Sequence, residues 1–168
     1  RLIKTKDEVA CMRIAAAIGD ACFARIVEEL KPGLREIDIM AIMAETAYKL
    51  GGDFRGDAVV CSGPNSSPNL RTYTDRIIRP GDTVFIDVYP VGYSGYKTCY
   101  YRTFSLGKPS KETVEAYEKV RDWQIEAKKI IKPGKTTKDV AEAWPDFTEW
   151  GGRSEDHVLG NAWAHGIG

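Results

Sequence analysis

The sequence predicts an α+β domain built from two similar halves, and three observations carry that expectation. Segments with helical spacing of apolar residues are interleaved with shorter runs of β-branched and aromatic residues. Leu30-Lys31-Pro32-Gly33 returns as Ile131-Lys132-Pro133-Gly134. Gly51-Gly52 returns as Gly151-Gly152. Pro-Gly after a helix is common punctuation, so chance is the competing explanation. Yet long helix, Lys-Pro-Gly turn, shorter helix and Gly-Gly recur in one order, offset by 101 residues (30 to 131) and 100 residues (51 to 151). Duplication accounts for that order better, and two halves facing one another would form a site between them.

The elements follow in chain order. Thr5 with Glu8 three positions on reads as a capping box. Behind it Val9, Met12, Ala16, Cys22, Phe23, Ile26, Val27 and Leu30 recur at helical spacing up to the Pro32-Gly33 stop. A second helix is expected from Arg35 to Leu50, with Ile39, Met40, Ile42, Met43 and Ala47 inward and Gly51-Gly52 closing it. Ala58-Val59-Val60-Cys61 is a short apolar strand, and Ser62 to Asn69 is a loop. Pro80-Gly81-Asp82 turns into the strand Thr83 to Tyr89. Gly92 and Gly95 mark a reversal, and Tyr96 to Phe104 returns as a second strand. Ser110 caps a helix from Lys111 to Ile131, and a further helix is expected from Thr137 to Trp150.

Composition narrows the function. Hydrophobic residues at 43% and charged residues at 29% describe an ordinary globular chain of 168 residues, expected as one domain over 1–168. Twenty-four basic residues balance twenty-four acidic ones, so no charged field steers nucleic acid or an anionic membrane. No apolar run approaches the roughly 20 residues of a membrane span. Cys11, Cys22, Cys61 and Cys99 lack CxxC spacing; the first three are expected as reduced thiols in a cytoplasmic protein, and Cys99 is a separate case.

Asp87 is the anomaly. A carboxylate between Ile86 and Val88 costs several kcal/mol if buried without partners. It is either a strand-end Asp bonded to backbone amides or a metal ligand, and the local sequence leaves both open. His157 reads as a loop histidine, and Trp144, Trp150 and Trp163 as core or interface residues. Of Tyr89, Tyr93, Tyr96, Tyr100 and Tyr101, alternation sends some to packing and one or two to a pocket wall.

Ser62-Gly63-Pro64-Asn65, Arg79-Pro80-Gly81-Asp82, Phe85-Ile86-Asp87, Arg102-Thr103-Phe104 and His165-Gly166-Ile167-Gly168 stand in sequence along the chain. Together with the Lys-Pro-Gly turn they resemble the landmarks of the pita-bread metallohydrolases, the family of Xaa-Pro aminopeptidases and prolidases. The resemblance implies a pita-bread fold with pseudo-twofold halves and helices packed on a curved antiparallel sheet. It also implies two divalent ions (Mn, Co, Fe or Zn) held by two Asp, one His and two Glu, with a metal-bound hydroxide as nucleophile. On the matching positions, Asp87 is the first Asp and His165 the His. The second Asp falls on Cys99, in a hairpin one residue longer than the family's spacing. A thiolate suits zinc or softer ions rather than manganese or magnesium, and the plainer reading is a thiol filling a small apolar hole. Asn69 stands where the peptidases carry a substrate-facing His, and Asn161 where some aminopeptidases carry another. Both Glu ligands would lie beyond Gly168, so the carboxy-terminal part of the domain is expected there.

Three functions stay open at this point. The first is a metal-dependent hydrolase of the Xaa-Pro peptidase type acting on a small peptide or related C–N bond. The second is a diverged enzyme on the same fold, similar to metal-independent creatinase or to a dimethylsulfoniopropionate lyase. The third is a binding module without catalysis. The resemblance further implies a homodimer, and small peptides or small molecules as partners.

Overall fold

The computed structural model describes residues 3–56, 58–66, 71–150 and 167. The chain divides into two compact units, Arg1–Pro109 with Ile167–Gly168, and Ser110–Gly166.

In the first unit, helix α1 (Lys6–Glu29) begins at the expected capping box. The Glu8 N–H donates to Thr5 Oγ1 at 3.2 Å and the Thr5 N–H to Glu8 Oε2 at 2.6 Å. Its buried stripe is Ala15, Ile18, Gly19, Cys22, Phe23 and Ile26, the spacing of one helical face. Val9 and Val27, expected inward, lie off that stripe at 37% and 58% exposure. Helix α2 (Glu36–Lys49) presents Ile39, Met43 and Ala47 to the same core.

The strands form two three-stranded antiparallel sheets. They are β1 (Asp53–Phe54), β2 (Val60–Ser62), β3 (Thr83–Asp87), β4 (Val91–Tyr93), β5 (Tyr96–Lys97) and β6 (Tyr101–Ser105). One sheet has the order β2-β3-β6 and the other β1-β4-β5. Val60, Val84, Ile86, Val88 and Val91 are fully buried and join the helices in one hydrophobic cluster. Each such side chain stabilises the unit by about 1.5–3 kcal/mol.

The long hairpin expected from Thr83 to Phe104 is split between the two sheets. Pro90 is fully buried and has no N–H to give a ladder, so β3 cannot run straight into β4. The reversal occurs at Ser94 (φ 50°) and Gly95 (φ 83°), a two-residue turn between paired Tyr93 and Tyr96.

In the second unit, helix α3 (Lys111–Ile130) is capped by Ser110, whose Oγ accepts the Thr113 N–H at 3.2 Å. Helix α4 (Thr137–Ala141) follows a capping box at Thr136 and Asp139. The helix expected to reach Trp150 stops at Ala141. Pro145 explains this, since its ring would clash with the carbonyl four residues back, that of Ala141. A short 3₁₀ turn, Phe147–Trp150, closes the described part. Long helix, turn and short helix thus occur in both units, while Gly151-Gly152 lies outside the described residues.

All four cysteines are unpaired thiols. Among the described residues no helix is long and apolar enough to cross a membrane.

Candidate active site

Strand β3 separates its side chains into two faces. Val84 and Ile86 point to the helices, so Thr83, Phe85 and Asp87 share the opposite face. The ladder sets their neighbours: Phe85 pairs with Cys61 of β2 and Asp87 pairs with Tyr101 of β6. The Phe85 and Tyr101 rings meet on this face at 5.2 Å between centroids. Tyr100 takes the other direction, its ring 5.4 Å from Phe23 and its hydroxyl donating to Asp20 Oδ1 at 2.7 Å. With Tyr100 anchored to α1, its neighbours Cys99 and Tyr101 are turned towards Asp87.

Asp87 is 6% exposed. Its N–H donates to the Val59 carbonyl at 2.9 Å, and its Oδ1 accepts the Tyr89 N–H at 2.9 Å. The backbone-bonded reading of this carboxylate is therefore present in the structure, and a thiol stands beside it. Cys99 Sγ lies 3.9 Å from Asp87 Oδ1, oriented to donate its S–H. Cys99 is half-buried and faces a carboxylate rather than an apolar hole. Burial first, and then the Asp87 charge, push the Cys99 thiol above its ordinary value. Burial likewise raises the Tyr101 phenol, with Cys99 and Asp87 adding to it. Both groups are neutral donors beside a carboxylate.

A second polar cluster, which sequence reasoning missed, lies at the other end of β2. Glu36, the first residue of α2, is fully buried. Its Oε1 accepts from the Ser62 N–H at 2.7 Å, the Ser62 hydroxyl at 2.7 Å and Asn65 Nδ2 at 3.3 Å. Its Oε2 accepts from the Thr74 N–H at 2.9 Å and the Thr74 hydroxyl at 2.6 Å. Burial alone would raise this carboxyl, but the hydrogen bonds from Thr74 and Ser62 outweigh it and hold Glu36 below its ordinary 4.5. Arg76 completes the cluster, donating from Nη1 to Ser62 Oγ and Asp82 Oδ2, each at 2.6 Å. The signal was available in the sequence: Glu36 lies three, seven and eleven residues before Ile39, Met43 and Ala47, so it sits on the buried stripe of α2.

These two clusters occupy landmarks of the sequence pattern, Ser62 to Asn65, Arg79 to Asp82 and Phe85 to Asp87, and the comparisons name the pattern. The profile of metallopeptidase family M24 matches residues 10–168. The chain belongs to metallopeptidase family M24. A probable dipeptidase, PepE, of Mycobacterium tuberculosis is 33% identical over 168 residues, which is all of this chain and 44% of that protein. The Xaa-Pro dipeptidase of Pyrococcus furiosus is 33% identical over 172 residues, all of this chain and 48% of that protein. Among solved structures, the Xaa-Pro dipeptidase from Bacillus anthracis superposes with a TM-score of 0.85 at 31% identity, over all of this chain and 47% of the other. The X-Pro aminopeptidase from Thermotoga maritima gives 0.80 at 29% identity, over 85% of this chain and 40% of the other. The fold is the α+β pita-bread fold of M24 enzymes. The chain spans about half the length of the curated relatives it matches.

M24 enzymes are metallopeptidases, so the donor set has to be tested against an ion. Asp87 and Cys99 supply adjacent carboxylate and thiol donors, a pairing that fits zinc better than manganese. Among the described residues no group of three His, Cys, Asp or Glu stands together. His165, Asn69 and Asn161 lie outside the described residues.

Proposed function

We propose that the chain forms part of the catalytic domain of a metal-dependent hydrolase of the Xaa-Pro peptidase type, acting on short peptides. The observation that carries this is the buried Asp87 carboxylate, set on the same sheet face as Phe85 and Tyr101 with Cys99 at 3.9 Å. Asp87, Cys99 and His165 would hold the ion, which when bound polarises a scissile carbonyl and lowers the pKa of water. The chain's own contribution is orientation: the Tyr89 N–H fixes the Asp87 carboxylate, and the Phe85–Tyr101 pair gives an apolar wall for a side chain of the substrate. The family membership and the Xaa-Pro dipeptidase relatives support the substrate class.

Metal content and hydrolysis of Xaa-Pro dipeptides test the reading in one preparation. Stoichiometric divalent metal, turnover of such dipeptides and loss of both in Asp87→Ala are expected. Unchanged metal content in a folded Asp87→Ala protein, or no turnover by the metal-loaded protein, would sink it. The thiol at position 99 favours a second reading, a diverged enzyme of this fold acting on another C–N bond without the full metal set. Cys99→Asp separates the two: metal and peptidase activity already present in the wild type support the first, and their appearance only in Cys99→Asp, with wild-type activity on a non-peptide amide without metal, supports the second.

A further inference from the structure

Ser62 and Asn65 open the loop that leaves β2, while Arg71, Thr74 and Arg76 belong to the segment that returns from it. The returning segment reaches the Asp87 face of the sheet. Cys61, which pairs with Phe85 and shares its face, donates its S–H to the Arg71 carbonyl at 3.1 Å. Glu36 takes hydrogen bonds from both stems, Oε1 from Ser62 and Asn65 and Oε2 from Thr74. Main-chain bonds already tie the returning stem to α2, with the Glu36 N–H donating to the Arg76 carbonyl and the Ile37 N–H to the Thr74 carbonyl, each at 3.1 Å. The carboxylate adds a many-bonded join between the two stems, beside the direct contact of Arg76 with Ser62. Arg76 braces that join from the far side, bound to Ser62 and Asp82 at once.

We propose that Glu36 is a positioning residue: its buried carboxylate clips the two stems together, and so fixes where the returning segment, Arg71 to Arg76, stands relative to the Asp87 face. A fully buried, charged group is an expensive way to close a loop. Its two oxygens divide the donors by stem, so neutralising one oxygen releases one side while the helix and strands remain. The inference rests on the peptidase reading for the reaction it serves.

The test uses the intact protein with Glu36→Gln, Thr74→Val and Thr74→Ser. Glu36→Gln keeps the shape but turns an amide N–H₂ towards one set of donors. Thr74→Val removes a hydroxyl donor to Glu36, and Thr74→Ser keeps it. Three readouts are taken: the alkylation rate of Cys61, with buried Cys22 as internal reference; amide exchange over residues 63–66 and 71–74; and kcat and KM on a Xaa-Pro dipeptide. In Glu36→Gln and Thr74→Val, Cys61 should alkylate about tenfold faster, the factor for one hydrogen bond to a charged group, with Cys22 unchanged. Exchange should rise in both stems, and kcat should fall by as much as about a hundredfold with a smaller change in KM. Thr74→Ser should restore all three. Unchanged Cys61 reactivity and exchange in folded Glu36→Gln and Thr74→Val would overturn the clip, and loosened stems with unchanged kcat would overturn its positioning role. A wild-type protein that turns over no Xaa-Pro dipeptide would defeat the peptidase reading instead, and Cys61 and the exchange rates would then decide the clip.

Discussion

Gly63 shows how tightly the Glu36 cluster constrains a single residue. Its φ is 51°, a left-handed conformation that side chains rarely adopt. A Cβ built there would stand 2.5 Å from Asp82 Oδ1 and 2.6 Å from Arg76 Nη2, and those two groups are locked in an ion pair. Gly63→Ala should therefore lower the unfolding free energy by at least about 2 kcal/mol, from backbone strain and overpacking together. Gly33 is the control: its φ is 100°, yet nothing lies within 4 Å of its Cβ position, so Gly33→Ala meets only the backbone cost. Urea denaturation of the two variants checks the difference, and equal midpoints would contradict it. At this scale the sequence was informative where chemistry and surroundings disagree. Asp87 stood out because its neighbours are apolar, whereas nothing beside Glu36 marks it, since an acid in the first turn of a helix is favoured by the dipole. Its partners Ser62, Thr74 and Arg76 lie 26 to 40 residues away, beyond the reach of any local pattern.

Among the elements, helices were read more faithfully than strands. The period of α1 and α2 is internal to each, so their ends were correct to about one residue. The phase of α1 was blurred by extra apolar residues on its outer side, and substitution should expose the true stripe. Ile26 is fully buried and Val27 is 58% exposed. Ile26→Ala should cost roughly 2–5 kcal/mol and Val27→Ala less than about 0.5 kcal/mol, measured as chemical denaturation midpoints. Equal losses would mean that α1 packs on a different face. The hairpin was misread because one proline decides it. Alternation from Thr83 to Tyr89 and from Tyr96 to Phe104 looks continuous, but a buried Pro90 without an N–H divides the strands between two sheets. Pro145 likewise shortened α4.

Acid should weaken the unit that holds these elements. Glu36 and Asp82 both titrate below their ordinary 4.5 and 3.8, the first because its hydrogen bonds outweigh burial and the second chiefly because of Arg76. A depressed folded-state value means that the unfolded chain binds protons first as pH falls. The stabilisation these two carboxylates supply is therefore complete above about pH 4.5 and is lost as pH drops through their folded values. Unfolding free energy should be flat in their regard near neutrality and should fall steeply in acid. Glu36→Gln should be less stable throughout the neutral range and show a shallower acid slope. An unchanged slope would mean that Glu36 is not held ionised by the Ser62 and Thr74 donors.

For the molecule as a whole, an ion bound only by the folded chain raises the thermal midpoint in proportion to the logarithm of its excess over the dissociation constant. Zinc normally outranks manganese at such donors, so the informative quantity is how the gap between them changes on substitution. In the wild type, carboxylate and thiol stand side by side, and such a pair should widen the gap in favour of zinc. Exchanging the thiol for a carboxylate should narrow it: Cys99→Asp should bring the manganese-induced rise in thermal midpoint closer to the zinc-induced one. In Asp87→Ala both rises should shrink, because a carboxylate donor suits either ion. Rises that persist in full without Asp87 would place the metal elsewhere on the protein. A zinc-to-manganese gap indifferent to Cys99 would show that the thiol takes no part in binding.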